Sequence, residues 1–315
     1  MVNRIGIDVG GTNIKIALVD DKGHIIYSNS IPTRAEMGYE YTINNMKESI
    51  HELIKENNID PKTIEGIGFG FPGQIDCQKG IVKLAPNIPG WVDVPIAEIM
   101  EKEFGIPTRV DNDVRCAALG ELNYGAGIGC ENLICITVGT GIGSGLVVNG
   151  KLVRGASNAA GELGHIKLDI QNGPLCGCGD KGCLEAFASG PSIVAMAEEY
   201  IKGGKSTKYR ELANPEITPY IVSEAAKQGD PVAKQIFTIV GEYIGAGLAS
   251  VVNLLNPEKI IIGGGVAAAG DILMTPIKET LVKRAMPISG AAVEIIPAQL
   301  GNSAGVIGAS ILINS

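Results

Sequence analysis

The chain has 315 residues, of which 45% are hydrophobic and 19% are charged, and its formal net charge is −8. This composition is typical of an ordinary soluble globular protein that is long enough for two domains or one large one. The acidic charge and the absence of a basic cluster in the sequence argue against a nucleic-acid partner.

The N-terminal sequence, the length of the apolar runs and the cysteines predict the cellular location. The sequence starts directly in a predicted strand, Met1 to Asp8, without a charged and then apolar signal region. No apolar run approaches the ~18 residues needed to span a bilayer. The cysteines at positions 77, 116, 130 and 135 show no paired framework. We therefore expect reduced thiols, a cytoplasmic location and no membrane partner.

Two glycine-rich segments repeat without gaps at an offset of 129 residues, Ile7–Lys22 and Ile136–Lys151. Each reads as a strand, a glycine-rich turn, a second apolar strand, a polar turn and a third strand. The repeat predicts two related α/β domains that face each other across a cleft. Backbone N–H groups in both glycine turns would then bind one anionic ligand, most plausibly the phosphates of a nucleotide.

Two competing phosphate motifs fail on inspection. The glycines from Gly139 to Gly145 resemble a dinucleotide fingerprint, but the third glycine is out of register and a strand follows it. Gly204-Lys205-Ser206 resembles the end of a P-loop, but Glu199 stands where the first glycine is needed.

The remaining pattern alternates helices and strands. Apolar spacing predicts a helix over 41–58, and small residues predict a strand over 64–71. A short strand at Thr108–Val110 delivers Asp111, Asn112 and Asp113 at its carboxyl end, and a helix follows to about Tyr124. The stretch 191–255 is predicted to be mainly helical, 258–262 is a buried strand, and the triple glycine at 263–265 opens the next helix. Ligands of α/β sheets bind beyond the carboxyl ends of strands, where Asp113 and the triple glycine lie.

Three cysteines and one histidine fall within nineteen positions, at His165, Cys176, Cys178 and Cys183. This set suits a closed, tetrahedral structural zinc site. Glu162 and Glu185 bracket the set, and neither is spaced to bind the metal itself. The zinc would hold both acids rigidly beside a polar pocket.

Five motifs occur in order: Asp8-x-Gly-Gly-Thr12, Asp111-Asn-Asp113, Gly139-Thr-Gly-Ile-Gly143, Glu162-Leu-Gly-His165 and the CGCGDKGCLE run that ends at Glu185. Together they resemble the ROK family of repressors, open reading frames and sugar kinases. The sequence around Asn87 and around Glu185 resembles that of the bacterial glucokinases in this family. The resemblance covers essentially the whole chain. It implies a two-domain, actin/hexokinase-like (ribonuclease H-like) α/β fold with a cleft between the domains. The small domain would be 1–114 with the C-terminal helix 302–315, and the large domain 115–301 with the zinc segment 161–185.

The resemblance also implies a role for each motif residue. Asp113 would be the general base that accepts the proton of the 6-hydroxyl of the sugar, and Asp8 would help to hold the Mg²⁺ of Mg-ATP. His165 would use one ring nitrogen for zinc and the other for a sugar hydroxyl. Asp111 is interpreted as a supporting residue or a helix cap. The implied sugar ligands are Asn87, Asn112, Asp113, Glu162, His165 and Glu185. The implied ATP ligands are Gly10, Gly11, Thr12, Gly139, Thr140 and Gly141 at the phosphates, and Gly264 and Gly265 at the adenosine end.

The resulting expectation is an ATP-dependent glucokinase that acts on the 6-hydroxyl of glucose, with structural Zn²⁺ and with Mg²⁺ bound to ATP. Kinases for N-acetylglucosamine, N-acetylmannosamine or fructose share the motifs and stay open as alternatives. A sugar-sensing repressor of the same family is disfavoured, because the first glycine hairpin begins within seven residues of the N-terminus and the chain is acidic. The resemblance to the family also implies a homodimer.

Overall fold

The structure is a computed structural model that describes residues 3–213 and 216–314. It divides into two compact units. The first contains Met1–Glu131, Gly145–Gly161 and Ala298–Ser315, and the second contains Asn132–Ser144 and Glu162–Pro297.

The core of the first unit packs against a five-stranded main sheet. The strands of this unit before residue 131 are β1 (Asn3–Val9), β2 (Asn13–Asp20), β3 (Ile25–Pro32), β4 (Ile64–Phe71), β5 (Gln74–Asp76), β6 (Ile81–Leu84), β7 (Val92–Val94) and β8 (Thr108–Asn112). The main sheet has the order β3-β2-β1-β4-β8, and β5, β6 and β7 form a separate three-stranded sheet. β1 pairs with β2 antiparallel and with β4 parallel. The parallel strands β1, β4 and β8 therefore end at the same edge of the sheet, and Asp8 and Asp113 belong to that edge.

The helices of this unit before residue 131 are α1 (Tyr39–Glu56), α2 (Ile96–Phe104) and α3 (Asp113–Tyr124). α1 buries the apolar face predicted from its spacing, including Ile43, Met46, Ile50 and Leu53. The predicted helix ends, 41 and 58, differ from the observed ones by two residues at each end, and Gly38 precedes the first turn.

The second copy of the repeat forms β9 (Leu133–Val138), β10 (Ile142–Val148) and β11 (Lys151–Leu152). β9 and the start of β10 up to Ser144 belong to the second unit, and the rest of β10 and β11 belong to the first. The five-stranded sheet has the order β11-β10-β9-β12-β13, with β12 (Lys259–Gly263) and β13 (Glu294–Pro297) parallel to β9. The strand–turn–strand–turn–strand prediction is confirmed for both copies, because β1, β2 and β3 are neighbours in the same manner as β9, β10 and β11.

The helices of the second unit are α4 (Leu184–Ala188), α5 (Gly190–Lys202), α6 (Lys208–Leu212), α7 (Pro219–Lys227), α8 (Pro231–Leu255), α9 (Asp271–Arg284) and α10 (Pro287–Ala292). By length and composition alone, α8 is apolar enough to cross a membrane, which the sequence analysis did not anticipate. Its contacts give the reason for that composition. α8 packs against α4, α5, α7, α9 and α10 and is the central core helix of the second unit.

The last helix, α11 (Ala304–Ser310), packs on the first unit. Glycines make this approach possible: a Cβ at Gly68 of β4 would lie 1.7 Å from the carbonyl oxygen of Ala309, and one at Gly308 would lie 1.7 Å from that of Cys116 in α3. The small residues of β4 are therefore required by backbone-to-backbone packing. The same packing places α3 in the first unit, whereas the sequence analysis assigned 115–301 to the large domain. The segment Gly145–Gly161 also belongs to the first unit.

Candidate active site

Asp113 is the first residue of α3, directly after β8. Its Oδ1 accepts a hydrogen bond of 2.9 Å from the backbone N–H of Val114. Burial, with a smaller contribution from the charge of Asp8, raises the pKa of Asp113 to about 6, against the lowering effect of backbone hydrogen bonds and of Arg115. Solvent still reaches part of the residue. Asp113 is thus a carboxylate that is ionised at pH 7 and accepts a proton readily.

The neighbours of Asp113 in the motif have distinct structural roles. Asn112 is the N-cap of α3, and its Oδ1 accepts from the N–H groups of Val114 and Arg115. The cap predicted as an option for Asp111 therefore belongs to Asn112. Asp111 is fully buried, and Arg115 Nε and Arg154 Nε each lie 2.7 Å from one of its oxygens. The Arg115 contact is an ion pair without hydrogen-bond alignment, so charge rather than direction fixes it.

The first glycine turn joins β1 to β2 and carries Gly10, Gly11 and Thr12. Asp8 precedes it, and burial raises the pKa of Asp8 while the charge of Lys15 lowers it. A Cβ at Gly11 would lie 3.5 Å from the carbonyl oxygen of Asn87, which is exposed. The structure therefore brings Asn87, predicted as a sugar ligand, next to the turn predicted to hold phosphate.

The second glycine turn borders a cavity of about 650 Å³ inside the second unit. Gly139, Thr140 and Gly265, three of the residues expected to bind ATP, line it. Gly264 does not line it: with φ of 90° it lets the chain pass β9, where a Cβ would lie 2.4 Å from the carbonyl oxygen of Val138. A cavity of this size holds a nucleoside, since small-molecule sites span ~300–1,000 Å³.

Much of this cavity was not predicted from the sequence. Its unpredicted lining residues come from α5, from α7 and the residue before it, and from the 3₁₀ helix Gly265–Ala269. They are Gly190, Pro191, Val194, Ala195, Glu198, Thr218, Pro219, Tyr220 and Val266. The only sequence signal is a proline in the first turn of both α5 and α7. That signal marks a helix start and does not indicate a ligand.

Glu185, in the first turn of α4, faces the second glycine turn. Its Oε2 accepts a hydrogen bond of 2.9 Å from the N–H of Ile142. A Cβ at Gly141 would lie 2.4 Å from the same oxygen. Gly141 therefore belongs structurally to the site of the predicted sugar ligand Glu185, and it does not line the cavity.

His165 connects two groups of predicted site residues. Its Nδ1 lies 3.7 Å from Cys176 Sγ, and its Nε2 lies 4.0 Å from Glu162 Oε2. One ring nitrogen thus faces the cysteine cluster and the other faces an exposed acid. This geometry is compatible with the two roles expected for His165, which stay a prediction.

The donor atoms of His165, Cys176, Cys178 and Cys183 lie within 4.8 Å of one another and could hold a metal ion. The Sγ atoms of Cys178 and Cys183 are 3.6 Å apart. Zn–S bonds of ~2.3 Å in a tetrahedron place two sulfurs ~3.7 Å apart, so this spacing fits Zn²⁺. Lys167 Nζ donates to Cys183 Sγ at 2.8 Å and supplies positive charge next to the three cysteines.

Comparison with known proteins shows a consistent relationship. The family model for the ROK family matches residues 4–315. A glucokinase of Halalkalibacterium halodurans is 39% identical over 314 residues, which cover 98% of this chain and 94% of the relative. A xylose repressor of Caldicellulosiruptor bescii is 34% identical over 96% of this chain and 76% of its own length. The crystal structure of a ROK family glucokinase from Streptomyces griseus, in complex with glucose and AMPPNP, superposes with a TM-score of 0.83 at 34% identity and 98% coverage of each chain.

Proposed function

Because this chain belongs to the ROK family, we propose that it is an ATP-dependent kinase that phosphorylates the 6-hydroxyl of glucose. A full-length relative at 39% identity is a glucokinase, and the similar structure from Streptomyces griseus binds glucose and AMPPNP. The observation that carries the proposal is the carboxyl group of Asp113, whose pKa of about 6 suits proton acceptance at neutral pH.

The reaction needs one proton acceptor and one displacement at phosphorus. The oxygen of the 6-hydroxyl attacks the γ-phosphorus, the bond from that phosphorus to the oxygen bridging to the β-phosphate breaks, and ADP leaves. The hydroxyl proton passes to Asp113. Phosphoryl transfer requires mainly positioning and charge neutralisation, so one well-placed carboxylate suffices as the base.

The other groups bind and orient the two substrates. Glu162, His165, Glu185, Asn87 and Asn112 would hydrogen-bond sugar hydroxyls, and the acid side chains suit paired hydroxyl donors. The glycine turns would bind the phosphates, and the cavity at Gly139 and Gly265 would take the adenosine. Asp8 would hold Mg²⁺, which neutralises phosphate charge when it is bound.

We further propose that the ion at His165, Cys176, Cys178 and Cys183 is Zn²⁺. The donor set and the 3.6 Å sulfur–sulfur distance support this ion. Its effect would be structural: it would fix the ring of His165 and the start of α4, which carries Glu185.

Two alternatives differ in testable ways. An N-acetylhexosamine or fructose kinase would use the same base and the same nucleotide residues. A sugar-sensing regulator, such as the xylose repressor relative, would bind sugar without needing a proton acceptor. The raised pKa of Asp113 favours a kinase over a sensor, because phosphoryl transfer needs a proton acceptor and sugar binding alone does not.

A coupled assay that follows ADP release, run with glucose, N-acetylglucosamine, N-acetylmannosamine and fructose, tests the proposal. We expect turnover with Mg-ATP to be highest for glucose. Sugar binding by calorimetry without ADP release on any of the four sugars would instead support the regulator.

A further inference from the structure

A single threonine outside the motifs contacts both ends of the first glycine turn. The hydroxyl of Thr33 donates to the carbonyl oxygen of Gly10 at 2.7 Å. The backbone N–H of the same residue donates to the carbonyl oxygen of Thr12 at 2.9 Å. Thr33 is fully buried just after β3, and its own carbonyl oxygen accepts from the hydroxyl of Thr42 in α1. α1 therefore fixes Thr33 through Thr42, and Thr33 fixes the glycine turn through Gly10 and Thr12.

These two bonds decide which way the peptide groups of the turn point. In a planar trans peptide the C=O and the following N–H point in opposite directions. The carbonyl of Gly10 shares its peptide plane with the N–H of Gly11. Because Thr33 holds that carbonyl, the N–H of Gly11 is directed to the other side. Between two glycines such a plane could otherwise rotate readily, since neither residue has a Cβ to oppose it.

The orientation matters for an anion. Successive N–H groups in a turn form a concave site for phosphate, whereas a carbonyl oxygen in the same place would repel it. Gly11 and Thr12 are exposed, and within residues 3–213 and 216–314 no group accepts from either N–H. Both donors are thus available, and the bond from Thr33 to the carbonyl of Gly10 keeps the N–H of Gly11 pointing outward.

The second repeat supplies independent support. Gly139 stands at the position of Gly10 in the other copy, and its carbonyl oxygen also accepts a hydrogen bond, of 2.7 Å, from the N–H of Gly190. Two unrelated donors, a threonine hydroxyl and a backbone amide, anchor the same carbonyl in both turns. The equivalent carbonyl is therefore fixed in both copies of the repeat.

We propose that Thr33 is a positioning residue for nucleotide phosphate, acting through the Gly10–Gly11 peptide and not by contact with the substrate. The inference rests on the proposed function only in taking the turn as a phosphate site. It predicts that loss of the Thr33 hydroxyl weakens nucleotide binding and leaves glucose binding unchanged.

The test compares Thr33→Val, which keeps the shape and removes the hydroxyl, with Thr33→Ser, which keeps the hydroxyl. Thr108→Val is the matched control, because Thr108 is also fully buried in the first unit and its hydroxyl also donates to a backbone carbonyl, that of Ile106. The dissociation constants of Mg-AMPPNP and of glucose are measured for each variant, together with thermal unfolding.

We expect Thr33→Val to weaken AMPPNP binding about five- to tenfold, the scale of one lost hydrogen bond. Thr33→Ser and Thr108→Val should stay within about twofold of the unchanged protein. If Thr33→Val does not fold, Thr33→Ala takes its place with the same expectation.

Equal AMPPNP affinity in Thr33→Val and the unchanged protein overturns the inference, while the kinase proposal stands if ADP release is normal. Equal weakening in Thr33→Val and Thr108→Val also overturns it, because the loss would then reflect general destabilisation. An unchanged protein that binds no AMPPNP overturns both.

Discussion

Glu185 and Gly141 are in direct steric contact: a single methyl group at Gly141 would reach to 2.4 Å from Glu185 Oε2. The same oxygen accepts a hydrogen bond of 2.9 Å from the N–H of Ile142, so the turn holds the carboxylate through this bond and leaves no room for a side chain at Gly141. Gly141, which was predicted to bind phosphate, thus lies against Glu185, which was predicted to bind the sugar. Any movement of this turn must move the acid.

We therefore predict that Gly141→Ala raises the KM for glucose about tenfold, because the new methyl displaces the carboxylate and costs roughly one charged hydrogen bond. The φ angle of Gly141 lies outside the left-handed region, so the backbone accepts alanine. Initial rates at saturating ATP measure the effect. Gly203→Ala is the control, since its Cβ would meet only ordinary contacts of 3.4 Å. An unchanged KM in Gly141→Ala would show that Glu185 does not bind the sugar.

Asp113→Asn should remove most of kcat and leave glucose affinity nearly unchanged, because the amide keeps the size but accepts no proton. The general-base contribution is typically ~10²–10⁴ in rate. A coupled assay and glucose calorimetry measure the two quantities. The control is Asp21→Asn, an exposed acid in a turn. Near-normal turnover would place the base elsewhere, with Glu162 the next candidate.

The same variant should be more stable than the unchanged protein at high pH. The pKa of Asp113 is about 6, above its unfolded value of 3.8, so the folded state binds more protons between these values. Stability therefore falls as pH rises through this window, and the ionised group costs about 3 kcal/mol above it. Thermal unfolding at pH 8 should show Asp113→Asn stabilised, and at pH 4 the difference should shrink. A destabilised variant at pH 8 would mean that its lost activity reflects damage to the fold.

Activity should decline in acid for the same reason. Since the pKa of Asp113 is about 6, kcat/KM should fall as pH drops through that value. The decline should approach about tenfold per pH unit, because this parameter reports the base of the free enzyme. Rates at fixed low substrate from pH 5 to pH 8 provide the measurement. The residual activity of Asp113→Asn should lack this step, and a flat profile in the unchanged protein would exclude Asp113 as the base.

Purified protein should contain one zinc ion per chain, and Cys178→Ser should lose it. Cys178 is the exposed thiol of the cluster. Loss of this thiol should weaken glucose binding more than AMPPNP binding. Glu162 and Glu185 flank the cluster in the chain, whereas other residues line the nucleotide cavity. Metal analysis and calorimetry measure both effects, with Cys77→Ser as the control outside the cluster. A metal-free unchanged protein that binds glucose normally would contradict this prediction.

Features that depend on residues close together in the chain could be predicted from the sequence. The two hairpins follow from apolar strands around glycine turns, α1 follows from its apolar spacing, and the cysteine cluster follows from ligand spacing. Contacts between distant segments leave no such pattern. The bonds from Thr33 to the turn 21 residues upstream and the contact of Glu185 with Gly141 depend on tertiary packing. Asn112 shows a further limit, because several polar residues before a helix can each be its cap and only the backbone angles decide.

Glucose should be a better phosphoryl acceptor than N-acetylglucosamine. Glu162, His165 and Glu185 are held close to the cluster, with His165 Nε2 4.0 Å from Glu162 Oε2. A pocket that hydrogen-bonds a bare 2-hydroxyl leaves little room for an acetyl group, and it strands polar side chains if the sugar rotates away. Discrimination that rests on unpaired buried polar groups reaches ~10⁴ in kcat/KM. The measurement is kcat/KM for both sugars, with 2-deoxyglucose as the control that removes the hydroxyl without adding bulk. If 2-deoxyglucose reacts as well as glucose and N-acetylglucosamine does not, bulk alone excludes the acetyl group. If N-acetylglucosamine equals or exceeds glucose, glucose is the wrong substrate, while a sugar kinase with Asp113 as its base remains.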